Sequence, residues 1–186
     1  MDKNKSKKIL VVVDMQNDFV SGALGSPEAQ AIVDNVVKKI LDFDGNIFYT
    51  LDTHTEDYLE TQEGKNLPVK HCIAGTDGWA PNAAVWMALM HQQVADEPHM
   101  IAKDTFGGVS LPMRIHEMLE GEDPEEITLV GLCTDICVIS NALLLKAFYP
   151  EAKITVDASC CAGATPEGHK TALAAMKPCH IDIVNE

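Results

Sequence analysis

Ile9-Leu10-Val11-Val12-Val13 is an unbroken apolar run, mostly β-branched, that stops at a carboxylate, Asp14. A strand with one wet face would alternate apolar and polar residues. A continuous run of this kind predicts a strand covered on both faces, as in a parallel sheet between two layers of helices. Similar runs recur along the chain and are separated by helix-period segments. Strands are expected at Ile9–Asp14, Asn46–Asp52, His99–Lys103, Ile127–Gly131, Ala152–Asp157 and Ile181–Val184. Helices are expected at Ser26–Leu41, Asn82–Gln92, Pro112–Glu120, Thr134–Phe148 and Pro166–Lys177. Ser26-Pro27-Glu28 and Thr165-Pro166-Glu167 each set an N-cap residue before a Pro at the first helical position. This alternation implies right-handed βαβ units and an α/β fold, three-layered and doubly wound around a mostly parallel sheet. Ligands then bind outside the carboxyl ends of the strands.

Three of those strand ends carry chemistry. The first stops at Asp14 and the third at Lys103. The fourth runs through Gly131-Leu132-Cys133 into a helix whose first turn holds Cys137. Taken singly, each has a bland reading: a turn-forming Asp, a solvated Lys and a small core Cys. Together at one sheet edge they bring an acid, a cation and a thiol into one crevice. The unpaired N–H groups and positive dipole of a helix start favour a Cys thiolate, as does a nearby Lys. A second group is Asp52-Thr53-His54, followed by Glu60, Glu63 and His71. Asp and His two residues apart lie on the same side of an extended chain. With another carboxylate and the later His they suit Zn²⁺, Mn²⁺ or Fe²⁺. An acidic loop with surface histidines is the alternative.

Asp14-Met15-Gln16-Asn17-Asp18-Phe19, Lys103 after the third strand, and Gly131-Leu132-Cys133-Thr134-Asp135-Ile136-Cys137 occur in the order found in one family. On these motifs the chain resembles the isochorismatase-like cysteine hydrolases, including nicotinamidases and pyrazinamidases, from about Lys8 to Asn185. The resemblance implies a six-stranded sheet in the order 3-2-1-4-5-6. It makes Asp14, Lys103 and Cys137 the catalytic set for cleavage of a small-molecule amide through a thioester. A thiolate attacks the carbonyl, Asp14 carries the thiol proton to departing ammonia and later activates water, and Lys103 favours the ionised forms of both. In that family the pair matching Leu132-Cys133 is joined by a cis peptide, and the Cys133 and Cys137 backbone N–H groups form the oxyanion hole. One divalent metal is implied at Asp52, His54 and His71, with Glu63 the best fit to the remaining position and Glu60 the runner-up. No organic cofactor is implied. Phe19, Phe106 and Leu132 match positions around the acyl group, with Trp79 and Trp86 as alternative aromatics. Some nicotinamidases place an aromatic just before the residue matching His71. Here that stretch is Asn66-Leu67-Pro68-Val69-Lys70, so the resemblance supports amide hydrolysis more firmly than nicotinamide itself. The family often forms homodimers or homotetramers.

Two other readings remain. An isochorismatase-type hydrolase would cleave a vinyl ether, but such enzymes typically lack the nucleophilic Cys. A non-catalytic thiol redox or binding module would have no use for the Asp–Lys–Cys set. Composition narrows the rest. The 186 residues suit one domain, 1–186, with 1–8 as a polar N-terminal end rich in Lys3, Lys5, Lys7 and Lys8. A formal charge of −14 argues against nucleic-acid and anionic-membrane partners. No apolar run spans a bilayer and no signal-peptide pattern precedes the first strand, so a cytoplasmic location is expected. Six Cys in that setting read as reduced thiols. Cys160 and Cys161, placed after the fifth strand, read as packing residues, and Asp18 as a turn or salt-bridge residue. No glycine-rich dinucleotide fingerprint or P-loop is present.

Overall fold

The computed structural model describes residues 6–186. The expected polar end falls largely on residues 1–5, outside the described residues. Six strands form one sheet in the order β3-β2-β1-β4-β5-β6. They are β1 (Lys8–Val13), β2 (Asn46–Asp52), β3 (Met100–Lys103), β4 (Glu126–Leu132), β5 (Lys153–Ala162) and β6 (Ile181–Val184). Every neighbouring pair is parallel.

The β1 run explains the layering. Alternate side chains of a strand point to opposite faces. Ile9, Val11 and Val13 join one buried cluster, and Leu10 and Val12 join the other. The first cluster lies under α6 (Leu111–Met118), α7 (Ile139–Phe148) and α8 (Pro166–Met176). The second lies under α2 (Pro27–Ala31), α3 (Val33–Asp42) and α5 (Ala83–His91). Short helices α1 (Asn17–Val20) and α4 (Gln62–Asn66) sit in the loops after β1 and β2. No helix among the described residues is long and apolar enough to cross a membrane.

Several boundaries differ from expectation. The helix expected over Ser26–Leu41 breaks at Ile32, which keeps right-handed helical angles, so the break is a kink and not a turn. Ser26 caps it as expected, its Oγ accepting from the Ala29 N–H at 3.0 Å. β5 runs on to Ala162 instead of stopping at Asp157. The pairing shifts register between Leu129 and Gly131, and the strand resumes with Gly131 opposite Cys161. Cys160 and Cys161 therefore lie within β5, not after it, and pack into opposite clusters. Gly131 is required at that crossing. Its φ is +116°, and a Cβ there would overlap the Val13 carbonyl of β1. The segment after β4 opens as a π-helix, Thr134–Val138, before α7 begins. The Cys133 carbonyl accepts from the Ile136 and Val138 N–H groups, at 3.1 and 3.0 Å. Such a turn often marks a functional site.

Candidate active site

β1, β2, β3 and β4 end side by side, and their last residues meet. Asp14 follows β1 with a positive φ of 47° and is fully buried. Thr50 of β2 aims it, donating its hydroxyl to Asp14 Oδ1 at 2.5 Å. Gln16 then joins the two strand ends. Its Oε1 accepts from the Asp52 N–H at 2.8 Å, and its Nε2 donates to the Asp52 carbonyl at 2.8 Å and the Trp79 carbonyl at 2.9 Å. Thr50 and Gln16 carry no reactive group and had not been singled out from sequence. The only signal for Gln16 was a polar residue just beyond the end of β1, since the chain turns sharply between Asp14 and Gln16, whose N–H bonds the Asp14 carbonyl at 2.8 Å.

Lys103 is buried at the end of β3. Its Nζ lies 2.7 Å from Asp14 Oδ2, 3.1 Å from Asp52 Oδ1 and 3.5 Å from Cys137 Sγ. The structure thus brings the acid, cation and thiol together. Burial lowers the proton affinity of Lys103, but Asp14, Cys137 and Asp52 outweigh that effect and raise it above the usual lysine range. Burial pushes the Asp14 carboxyl above the usual carboxylate range, with Lys103 pulling the other way. Burial also raises the Cys137 thiol, helped by Asp14 and opposed by Lys103. Burial and the carboxylates thus work against the thiolate that the helix start and Lys103 favour. The Cys137 thiol holds its proton more tightly than a free thiol, next to a carboxyl group whose own proton affinity is raised. The Leu132–Cys133 peptide is cis.

The second group also assembles. Asp52 Oδ2 lies 2.9 Å from His54 Nε2 and 3.5 Å from His71 Nε2. Glu63 Oε1 lies 3.7 and 4.0 Å from the same two nitrogens. Glu60, the runner-up, lies exposed in a single helical turn before α4. His71 bonds the Val69 carbonyl through Nδ1 at 2.8 Å, which leaves Nε2 facing the group. Asp18 holds that loop in place, its Oδ2 accepting from the Cys72 N–H at 2.8 Å, and its Oδ1 accepts from the Ala23 N–H at 3.3 Å in its own turn; among the described residues it makes no salt bridge. One ligand atom each from Asp52, His54 and His71 falls within a 4.8 Å cluster, and all three residues are buried. Donor atoms around a tetrahedral Zn²⁺ stand about 3.3 Å apart, so these spacings and this donor set fit a divalent cation. Burial opposes ionisation of Asp52, but hydrogen bonds from His54 and His71 and the Lys103 charge hold its carboxyl well below the usual range.

Over both groups lies a cavity of about 240 Å³ lined mainly by apolar side chains. Phe19 and Phe106 line it as expected, with Cys133 and Cys137 at its base. Leu132 does not. It is fully buried in the core beneath, because the chain turns only after it. Asp52, Glu63 and His71 form its polar side, and Leu24, Leu67, Ile136 and Ala164, which were not legible as pocket residues because they come from loops and a helix turn far apart in sequence, complete the lining. Trp79 donates its indole N–H to Thr53 Oγ1 at 2.9 Å, and Trp86 packs edge-on against Tyr49, so neither aromatic faces the cavity.

The isochorismatase domain family matches residues 8–185. An uncharacterized isochorismatase family protein of Bacillus subtilis is 29% identical over 179 residues, covering 90% of this chain and 92% of that one. The crystal structure of a nicotinamidase/pyrazinamidase from Bacillus subtilis superposes with a TM-score of 0.80 at 26% identity, covering 96% of this chain and 99% of that one. The pyrazinamidase of Pyrococcus horikoshii in complex with zinc superposes with a TM-score of 0.75 at 27% identity, covering 97% and 99%.

Proposed function

The chain belongs to the isochorismatase family, and on that premise we propose that it hydrolyses a small-molecule amide to a carboxylate and ammonia, with Cys137 as nucleophile. The observation that carries this reading is Lys103 Nζ standing 2.7 Å from Asp14 and 3.5 Å from Cys137 Sγ. Similarity to nicotinamidases and pyrazinamidases supports the amide as the substrate class.

Asp14 takes the Cys137 proton as sulfur attacks the amide carbonyl. Lys103 stabilises the resulting charge without giving up its own proton. The tetrahedral oxygen is received by the Cys133 and Cys137 backbone N–H groups, each such donor being worth roughly 3 kcal/mol. Asp14 returns the proton to the nitrogen, the C–N bond breaks, and ammonia leaves a thioester on Cys137. Asp14 then deprotonates water, which attacks the thioester. The C–S bond breaks, and Cys137 recovers its proton as the acid departs. A carboxyl of raised proton affinity suits a group that accepts and returns a proton in each half-reaction.

Asp52, His54 and His71 would hold one divalent cation, with Glu63 beside them. When bound it supplies a Lewis acid that orients a ring nitrogen or other heteroatom of the substrate. The zinc of the Pyrococcus pyrazinamidase complex makes Zn²⁺ the first ion to test. The apolar cavity favours an uncharged, flat or branched acyl group. Leu67 offers an aliphatic wall, not a stacking ring, which keeps the substrate class broader than nicotinamide.

Ammonia release from a panel of small uncharged amides, before and after alkylation mapped to Cys137, tests the reading. Release that stops when Cys137 is blocked is expected. No release from any amide, or release indifferent to the alkylation, overturns it.

A further inference from the structure

The nucleophile's turn is fixed from outside the catalytic set. Thr134, the first residue of the π-helix, is fully buried, and its Oγ1 lies 2.8 Å from Nδ1 of His169 on α8. The next residue, Asp135, reaches the same helix start. Its Oδ1 accepts from the Ala164 N–H at 2.9 Å, and its other oxygen lies where a Cβ on Gly168 would stand. Thr165 caps α8, its Oγ1 accepting from the Gly168 N–H at 3.0 Å. Ala164 also lines the acyl cavity. Two consecutive side chains of the turn are thus anchored to one helix start. Those residues sit between Cys133 and Cys137.

We propose that His169 is a positioning residue for oxyanion binding. By holding Thr134 it fixes the direction of the backbone between Cys133 and Cys137, whose N–H groups receive the tetrahedral oxygen. This inference rests on the oxyanion assignment in the preceding subsection. An apolar ring at 169 leaves the Thr134 hydroxyl unpaired in a buried position, and the turn shifts to find a partner. Small displacements of such donors are costly because their alignment with the oxygen is what makes them effective. The end of the turn is held separately: Asn141 of α7 donates to the Cys137 carbonyl at 2.8 Å and Lys103 lies 3.5 Å from the sulfur, so the sulfur keeps its place when the start of the turn moves.

Two reagents separate these effects. Iodoacetamide alkylates sulfur by displacing iodide at a tetrahedral carbon and forms no oxyanion. Benzaldehyde adds the Cys137 S–H across its carbonyl, with sulfur bonding to carbon and the proton passing to oxygen. The resulting thiohemiacetal places that oxygen in the hole. Benzaldehyde affinity is read as protection of Cys137 from iodoacetamide, with the modified Cys mapped by mass spectrometry.

His169→Phe and Thr134→Val should each weaken benzaldehyde binding roughly ten- to a hundredfold. Their iodoacetamide rates at Cys137 without aldehyde should stay at the wild-type level. His169→Asn, whose amide atom lies as far from Cα as Nδ1 does, should restore affinity. In amide hydrolysis the same variants should lose kcat and keep KM. Unchanged benzaldehyde affinity in the folded variants, or aldehyde and iodoacetamide reactivity falling in parallel, overturns the proposal, as does wild-type protein that does not bind the aldehyde. If His169→Phe does not fold, Thr134→Val decides alone. If the aldehyde results hold while no amide is hydrolysed, the amidase reading fails and the positioning role stands.

Discussion

Asp52 touches Lys103 with one carboxylate oxygen, at 3.1 Å, and faces His54 and His71 with the other. The cation of the catalytic group and the ligands of the candidate metal group therefore share one buried anion. Gln16 locks that anion in register with Asp14 through both faces of the Asp52 peptide. The two groups are two sides of one charge network, in which Lys103 is the only cation contacting both Asp14 and Asp52 among the described residues.

Lys103→Met should expose that dependence. Removing one partner of a buried charged cluster costs about 3–5 kcal/mol. It should also move the pH profile. Lys103 pulls the Asp14 proton affinity down against the effect of burial, so without it Asp14 is protonated at still higher pH. The mechanism needs the Asp14 carboxylate. Activity is therefore lost as pH falls through its raised value, and this acid limb of kcat/KM should shift upward in the variant. A pH–rate profile checks it, and an unmoved acid limb would refute the electrostatic role of Lys103.

Asp14→Asn preserves size and the Thr50 contact but cannot take a proton, so kcat should drop by at least about 10². Cys137→Ala should abolish turnover with the melting temperature nearly unchanged, because the lost sulfur lines a cavity. Rates and melting curves on the same preparations check both. Cys137→Ala protein that still releases ammonia would transfer the nucleophile's role elsewhere.

A third prediction concerns stability away from the site. Asp157 is buried on β5 and binds Lys39 Nζ at 2.7 Å, Ser159 Oγ at 2.8 Å and Asn185 Nδ2 at 3.0 Å. Burial disfavours its charge, but these partners outweigh that and hold its carboxyl below the usual range. Asp157→Asn should cost about 1–3 kcal/mol, or roughly 2–4 °C of melting temperature per kcal/mol in a chain of this size. A depressed carboxyl stabilises the fold above its unfolded pKa and loses that contribution as pH falls through the folded value. The gap between wild type and variant should therefore be full at neutral pH and close below about pH 4. A gap that stays constant well below that pH would show that charge is not its source.

The parallel, doubly covered sheet and the meeting of Asp14, Lys103 and Cys137 follow from features visible along the chain, while the strand order comes from the family resemblance. β1 is apolar on both faces, Asp14 and Lys103 stand at the ends of β1 and β3, and Cys137 lies in the first turn after β4 of the same parallel sheet. The metal group was legible for the same reason, since Asp52 and His54 close β2 and share a side. What escaped were residues whose role depends on contacts distant in sequence. Thr50 bonds the Asp14 carboxylate and Gln16 the Asp52 backbone, each across a gap of 36 positions. His169 reaches Thr134 from a helix 35 residues on. The helix start and Lys103 that favour a Cys137 thiolate are visible along the chain, whereas the desolvation that opposes it depends on everything packed around the sulfur. The run of β5 past Asp157 was hidden by Asp157-Ala158-Ser159, which reads as a turn until a register shift carries the strand through it.

The last prediction tests the metal. His71 is the cleanest ligand to remove, because Asp52 also contacts Lys103 and its loss would disturb both groups. His71 is held by the Val69 carbonyl and aims Nε2 at the cluster. Protein purified without chelator should carry about one equivalent of Zn²⁺, Mn²⁺ or Fe²⁺, as expected for a site with three protein ligands. His71→Ala should lose most of it. A bound ion stabilises only the folded state, so added metal should raise the wild-type melting temperature and leave the variant's unchanged. Chelation should weaken substrate binding more than it slows Cys137 alkylation, because Asp14, Lys103 and Cys137 retain their geometry. Elemental analysis and metal-titrated melting curves read this without reference to turnover. Less than about a tenth of an equivalent in wild type, with no thermal shift on adding Zn²⁺ or Mn²⁺, would reduce Asp52, His54 and His71 to a hydrogen-bonded cluster that merely anchors Lys103.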